Sequence, residues 1–382
     1  MSEQPVTISP KRRRLLFVAH VVGLLAVFYS YVLLRVRQEL FYQQDPAVFL
    51  FDSYFLAGFL NQPGGLVEYA SAFLSPLFAF GWLGALVVTL LATLICLATR
   101  QFIAAIAGTG GRFVFLVPAL LILTLLGQYS HPVRLCVGLC AVLVLANMYA
   151  RIGKGHAAVR LAAFVIASAL AYYVAAGLYV VFAFSCGVFE WRVNRHRWLG
   201  VLCVLCAAII PTVAGTWLCG LSIRETYRGL MLPTARYWLA VPSSSLVTMS
   251  IRVALLLFFP VAAIAVAWRR RPAGSPVVDP GTRPQAEHPD EAAREAERPV
   301  SPLRLAVQSA VLIALGIGAD FALFDFPTKC SLLVAYSAER QKWADVLTHA
   351  RHLPPSDVWN VFHVNRALYH DGELLDRMFA YP

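Results

Sequence analysis

The sequence predicts an all-α, polytopic helical membrane protein, and three observations carry that prediction. Apolar runs of about 20 residues recur along the chain, each long enough to cross a bilayer as a helix. Arginine and lysine gather at the ends of alternate runs, as they do in cytoplasmic loops. Charge is scarce: 14% of the 382 residues are charged and 59% are hydrophobic, with a mean hydropathy of +0.66. A soluble domain carries about 25% charged residues.

Read in order, the runs predict about nine crossings. The first is Leu15 to Leu34, preceded by Lys11, Arg12, Arg13 and Arg14. It lacks a small-residue cleavage site and ends in Arg35 and Arg37, which reads as a retained span and not a signal peptide. The second covers Ser75 to Ala98, the third Arg112 to Gly127 with Pro118 inside, and the fourth Val133 to Ala150. Ala158 to Phe189 is too long for one straight span and short for two. Basic residues flank it on both sides (Arg151, Lys154, Arg160; then Arg192, Arg195, Arg197), so it must go in and return, turning near Tyr172 to Gly177. Two thin spans or a re-entrant hairpin both satisfy this, and it is counted as two. Trp198 to Trp217, Arg252 to Trp268 and Leu305 to Leu323 complete the set.

With the amino terminus inside, the basic clusters at 11–14, 151–160, 192–197 and 269–271 all fall in the cytoplasm. Nine crossings then place the carboxyl terminus outside, periplasmic or extracellular, with the chain in the inner (plasma) membrane. The net charge of +11 sits at span ends with no basic-aromatic surface module, which excludes nucleic acid as an expected partner. Membrane lipids are the expected surroundings.

The domain organisation follows. Residues 1–268 form a transmembrane domain that includes an outward hairpin at 38–74. Residues 269–302, rich in Pro, Glu and Arg and without apolar periodicity, read as a disordered cytoplasmic linker. The last span lies within 303–326, and 327–382 is an outward tail. In the hairpin, Val48, Phe49, Phe51, Phe55, Leu56 and Phe59 fall on one side of a helix, and Leu66, Tyr69, Ala70, Phe73 and Leu74 repeat the pattern. These predict helices lying along the outer membrane surface, bent apart by Pro63, Gly64 and Gly65.

The tail reads as helix, turn, helix, a Pro-Pro break, and the same again. NRALYHDGELLDRMF resembles the helix-Gly-helix core of a tetratricopeptide repeat, with Gly372 at the turn, and YSAERQKWADVL occupies the corresponding earlier place. Two such units cannot close a solenoid. Either the chain is shortened relative to its relatives or the last hairpin packs on the membrane domain. The tail is also the expected surface for any protein partner.

Candidate chemistry lies on the outward side. Asp45, Asp52 and Glu68 follow the first span, and Arg35, Arg37, Arg134, Arg224, Arg228 and Arg236 are outward arginines near the membrane. A guanidinium fork matches phosphate oxygens, so several could converge on a phosphate. The same arginines also suit anionic headgroups or pairing with Glu39, Asp45 and Glu225. The layout resembles the C-type glycosyltransferases, which use polyprenyl-phosphate-linked sugars. That resemblance implies a polyprenyl-phosphate-linked sugar as donor. It also implies Asp45, or alternatively Asp52, as the general base, and Arg224, Arg228 and Arg236 as the lipid-phosphate clamp. The paired acidic signature of some members is absent, since Pro46 follows Asp45. FDSYFLAGFLNQPGGLVEYASAFL, YYVAAG and NRALYHDGELLDRMF resemble a family of bacterial membrane proteins with no established activity. A non-enzymatic, membrane-anchored scaffold using the repeat tail is the alternative function.

Metal is not expected. Of the eight cysteines, Cys136 with Cys140 and Cys203 with Cys206 share spans but lack a His or carboxylate at ligand spacing, so they read as small apolar residues. Cys219 and Cys330, both outward, could pair. His20, Asn147 and Asp320 are the main polar residues inside spans, too few for a proton path. GTGG at 108–111 lacks the Lys-Ser/Thr of a nucleotide loop.

Overall fold

A computed structural model describes residues 10–44, 49–107, 114–129, 133–152, 156–194, 196–227, 245–269, 302–353 and 357–381. Among these residues the protein is all-α. The membrane-domain helices are α1 (Pro10–Tyr31), α2 (Glu39–Gln44), α3 (Ser53–Leu60), α4 (Gly65–Leu74), α5 (Gly81–Ala107), α6 (Val117–Gly127) and α7 (Val133–Arg151). They continue with α8 (Ala157–Ala175), α9 (Tyr179–Phe189), α10 (Arg197–Thr212), α11 (Ile223–Thr226), α12 (Ser245–Arg269) and α13 (Pro302–Leu323). The tail holds α14 (Phe326–Glu339), α15 (Trp343–Ala350), α16 (Val358–Asp371) and α17 (Leu374–Arg377). The proposed linker, 269–302, falls almost wholly outside the described residues, and GTGG lies entirely outside them.

Five helical stretches are long and apolar enough to cross a membrane: Gly81–Ile106, Val133–Arg151, Ala157–Asn194, Arg197–Trp217 and Leu246–Trp268. They suggest a multi-pass membrane protein. Their outer faces agree, because Leu86, Leu90, Leu94 and Leu97 on α5 and Val253, Leu257, Val261 and Ile264 on α12 form exposed apolar stripes at helical spacing. Water would penalise such stripes and lipid does not. Three threonine hydroxyls inside α5 are satisfied locally: Thr89, Thr93 and Thr99 each donate to the carbonyl four residues earlier at 2.6–2.7 Å.

Contacts set the direction of each helix. The α5 and α7 helices run parallel, since the Asn147 amide donates to the Ala98 carbonyl (2.9 Å), Cys140 lies beside Leu91, and Arg151 donates to Gln101. The stretch 157–194 is not one rod. As a continuous helix it would separate Phe164 from Phe182 by about 27 Å, yet their rings stack 5.9 Å apart. The chain reverses at Ala176 (φ 45°, ψ −126°) and Gly177, making α8 and α9 an antiparallel pair. The α9 helix then packs on α10 through glycines: a Cβ on Gly200 would lie 2.9 Å from the Gly187 carbonyl oxygen, so only glycine allows this approach.

Two expectations are corrected. The second apolar helix begins at Gly81, not Ser75, because Ser75–Ala79 forms a 3₁₀ turn around Pro76 and Phe80 is extended. Pro118 does lie inside the third apolar run, in the first turn of α6, where its missing N–H costs nothing. In the hairpin at 38–74 the helices α3 and α4 are not bent apart. Phe49 packs against Phe51, Phe55, Tyr69 and Phe73 with ring centres 4.9–5.5 Å apart, closing α3 onto α4. In addition, α4 buries Val67 and Ser71 against α7 and α8.

The tail forms two helix pairs, the second turning at Gly372 with φ 78°. Its first helix, α14, packs on α2 and contributes Leu333 to the main core. Val334 and Ala338 of α14 also join Val346, Leu347, Val364 and Leu368 of the following tail helices in a smaller core.

Candidate functional site

The end of the bundle where α1 finishes and α14 begins, here the tail end, brings two segments to the α8–α9 reversal. Tyr173 binds the Pro-Gly-Gly turn: its carbonyl accepts from the Gly64 N–H at 2.8 Å and its hydroxyl donates to the Leu60 carbonyl at 3.1 Å. Gly64 is left-handed at φ 82°, and a Cβ there would lie 2.9 Å from the Ala176 Cβ. Only glycine meets both conditions. The neighbouring Tyr172 hydroxyl donates to the Thr226 carbonyl of α11 at 3.4 Å. Thus two consecutive tyrosines tie the acidic first loop and the short arginine-bearing helix to one point.

The sequence-predicted residues distribute unevenly around this point. Asp52 is exposed, immediately precedes α3, and accepts a hydrogen bond from Ser53 at 3.4 Å. Arg224 belongs to α11, and its side chain lies outside what is described. Asp45, Arg228 and Arg236 lie outside the described residues altogether. Glu68, on α4, pairs with Arg134 at the start of α7 and accepts from Gln62 at 3.3 Å.

A second cluster at the same end was not anticipated. After Tyr31 the helix widens into a π turn over Val32–Val36, and Arg37 adopts φ 61°, ending it. This turn carries Arg35 and Arg37 back toward α13 and α14. The Tyr31 hydroxyl donates to Asp320 at 2.5 Å, and Tyr129 donates to the Val36 carbonyl at 2.9 Å. Arg37 pairs with Glu39 at 3.1 Å. The Glu39 carboxylate also abuts Gly81, at the amino end of α5, where a helix favours negative charge. Asp320 is fully buried.

At the opposite end, Arg160 and Glu190 form a buried ion pair, 1% and 0% exposed. The pair is saturated. Glu190 accepts from Arg160 Nε (2.7 Å), Tyr149 (2.7 Å) and Asn194 (3.2 Å), while Arg160 also donates to the Ile152 carbonyl at 2.6 Å. Sequence reasoning counted Arg160 only as a topology signal and passed over Glu190. One clue existed: Glu190 is the sole carboxylate between Glu68 and Glu225.

Among the described residues no three His, Cys, Asp or Glu side chains are grouped to hold a metal ion. Cys219 and Cys330 are free thiols, one exposed and one buried, which corrects the possible pairing.

A family model described as a family of unknown function, DUF6057, matches residues 8–382. No curated protein and no solved structure matches the chain.

Proposed function

Because this chain belongs to DUF6057, a family of unknown function, we propose its activity from its own residues: transfer of a sugar from a polyprenyl-phosphate donor to an acceptor hydroxyl on the outer face of the membrane. In this reading the chain crosses nine times, the four shorter apolar helices joining the five long stretches, of which 157–194 counts twice but 65–79 does not cross. The amino terminus is cytoplasmic, and the tail end, with residues 327–382, faces outward.

The observation that carries the proposal is the meeting of two loops at Tyr172 and Tyr173. A transferase of this kind needs a base and a phosphate clamp near one another, and these adjacent tyrosines hold the acidic loop and the Arg224 helix. The acceptor oxygen attacks the sugar's anomeric carbon while the bond from that carbon to the phosphate oxygen breaks. Asp45, with Asp52 as the alternative, takes the acceptor proton. Arg224, Arg228 and Arg236 hold the departing polyprenyl phosphate and stabilise charge where it develops. Asp45→Asn then abolishes turnover in a radiolabelled-sugar assay while thermal unfolding stays unchanged. Full activity in that variant removes Asp45 from the mechanism.

One observation favours a second reading, a membrane-anchored scaffold. The tail exposes Trp359, Phe362, Tyr369 and Phe379 at 80%, 65%, 69% and 90%, an apolar face of the kind that binds partners. In that reading Asp45 is dispensable and deletion of residues 357–382 removes function.

A further inference from the structure

Where α1 and α13 leave the bundle, four cations alternate with three aromatic rings. The Arg35 guanidinium lies 4.4 Å from the Phe321 ring centre and 4.5 Å from that of Phe324. The Lys329 ammonium lies 5.5 Å from the same Phe324 ring. Arg37 and Arg340 share Tyr336 likewise, at 5.6 and 4.1 Å. A cation held on a ring face keeps donors that can still reach an anion.

The nearby carboxylates have other engagements. Glu39 pairs with Arg37, Asp320 accepts from Tyr31 and lies within electrostatic reach of Arg35 without a salt bridge to it, and Asp325 caps α14 by accepting from the Thr328 N–H (3.1 Å) and hydroxyl (2.7 Å). Among the described residues neither Arg35 nor Lys329 forms a salt bridge. Arg35 Nε is buried without a hydrogen-bond partner there, and Lys329 is drawn close by donating to the Arg35 carbonyl at 2.8 Å. Burial, then the adjoining Arg35 and Arg37 charges, hold the Lys329 ammonium below the ordinary lysine range. Mutual repulsion of this kind is relieved by an anion.

The location indicates which anion. Leu34 is 76% and Phe321 55% exposed beside these cations. Apolar side chains meet charged ones in this way where a helix passes from hydrocarbon into the headgroup layer. Free phosphate would need no such apolar rim.

We propose that this cation–aromatic cluster binds the phosphate of a lipid headgroup, which pins α14 to the junction of α1 and α13. The site is separate from the Tyr172–Tyr173 point and does not depend on the transferase reading. A bound headgroup phosphate would give Arg35 and Lys329 the direct anionic contact that neither makes among the described residues, with Arg37 and Arg340 at its edge.

The test uses the full chain in detergent, titrated with dioleoylphosphatidylglycerol, with dioleoylglycerol (the same chains without phosphate), or with inorganic phosphate. Binding is read by native mass spectrometry and thermal unfolding. Phosphatidylglycerol should bind and raise the melting temperature, and dioleoylglycerol should do neither. Lys329→Gln and Arg35→Gln should each weaken phosphatidylglycerol binding about tenfold, the scale of one charge-assisted hydrogen bond. Lys329→Arg should retain binding, so loss in Lys329→Gln is not misfolding. Equal binding of the two lipids, or wild-type affinity in both Gln variants, overturns the proposal. Stabilisation by inorganic phosphate at the same concentration as the lipid overturns the headgroup assignment.

Discussion

The two ends of the bundle handle buried charge in opposite ways. At one end the Arg160–Glu190 pair has its donors and acceptors met by Tyr149, Asn194 and the Ile152 carbonyl. At the tail end, Arg35 and Lys329 lie against rings with no carboxylate bonded to them among the described residues. A saturated buried pair is a structural joint, because no valence remains for a ligand. Cations held on ring faces without a salt bridge keep donors for a ligand. The difference separates two sets of arginines that are indistinguishable by type, since both sit at span ends.

The largest expected effect falls on the joint. Arg160→Ala leaves the Glu190 carboxylate buried and alone, which should cost about 3–5 kcal/mol. Chemical or thermal unfolding in detergent measures it, and Arg160→Ala with Glu190→Gln together should cost less than the two changes summed. Arg35→Gln in the same assay, without added lipid, should change stability by less than about 1 kcal/mol. Similar losses for Arg160→Ala and Arg35→Gln would erase the distinction.

A middle-sized effect is expected at the α8–α9 reversal. Gly64→Ala places a Cβ against Ala176 in a left-handed conformation, at a cost of about 1–3 kcal/mol. The loosened contact should raise hydrogen exchange at both 61–66 and 172–178. Exchange confined to 61–66 would show that the reversal does not depend on the turn.

The smallest effect is a pH dependence in the tail. Burial, with Arg37, His352 and Lys329 nearby, holds His349 below its ordinary value of 6.5, with Asp345 acting against them. Unfolded tail then binds more protons than folded tail below about pH 6.5. Stability from this group is therefore full above pH 6.5 and is lost as pH falls through the lower, folded value. Amide protection in α14 and α15 should drop between pH 7 and 5, and His349→Gln should flatten that drop. A drop of equal size in the variant would assign the effect to another group.

Much of the architecture was legible in the sequence. Hydropathy located the helices, and basic flanks revealed that 158–189 must double back, because charge on both sides of one segment constrains its direction. The turn residues were also visible in Pro63-Gly64-Gly65 and Tyr172–Gly177, but not that the two turns bind one another. Hydrogen bonds between residues more than a hundred positions apart leave no periodic trace. The tail-end cation cluster was missed for a related reason. Arg35 and Arg37 belong to one segment, and Phe321, Phe324 and Lys329 to another, so neither alone reads as a basic-aromatic module. The π turn at Val32–Val36, which brings them together, has no simple sequence signal.

Mass spectrometry of the native protein, purified gently from its own membrane, tests the transferase reading most directly. Wild type is compared with the Arg224→Gln, Arg228→Gln double variant, after both are shown to unfold at the same temperature. A polyprenyl phosphate that accompanies the wild type and is lost from the variant is the expected result. Ordinary phospholipids alone, in equal amounts on both proteins, would contradict it.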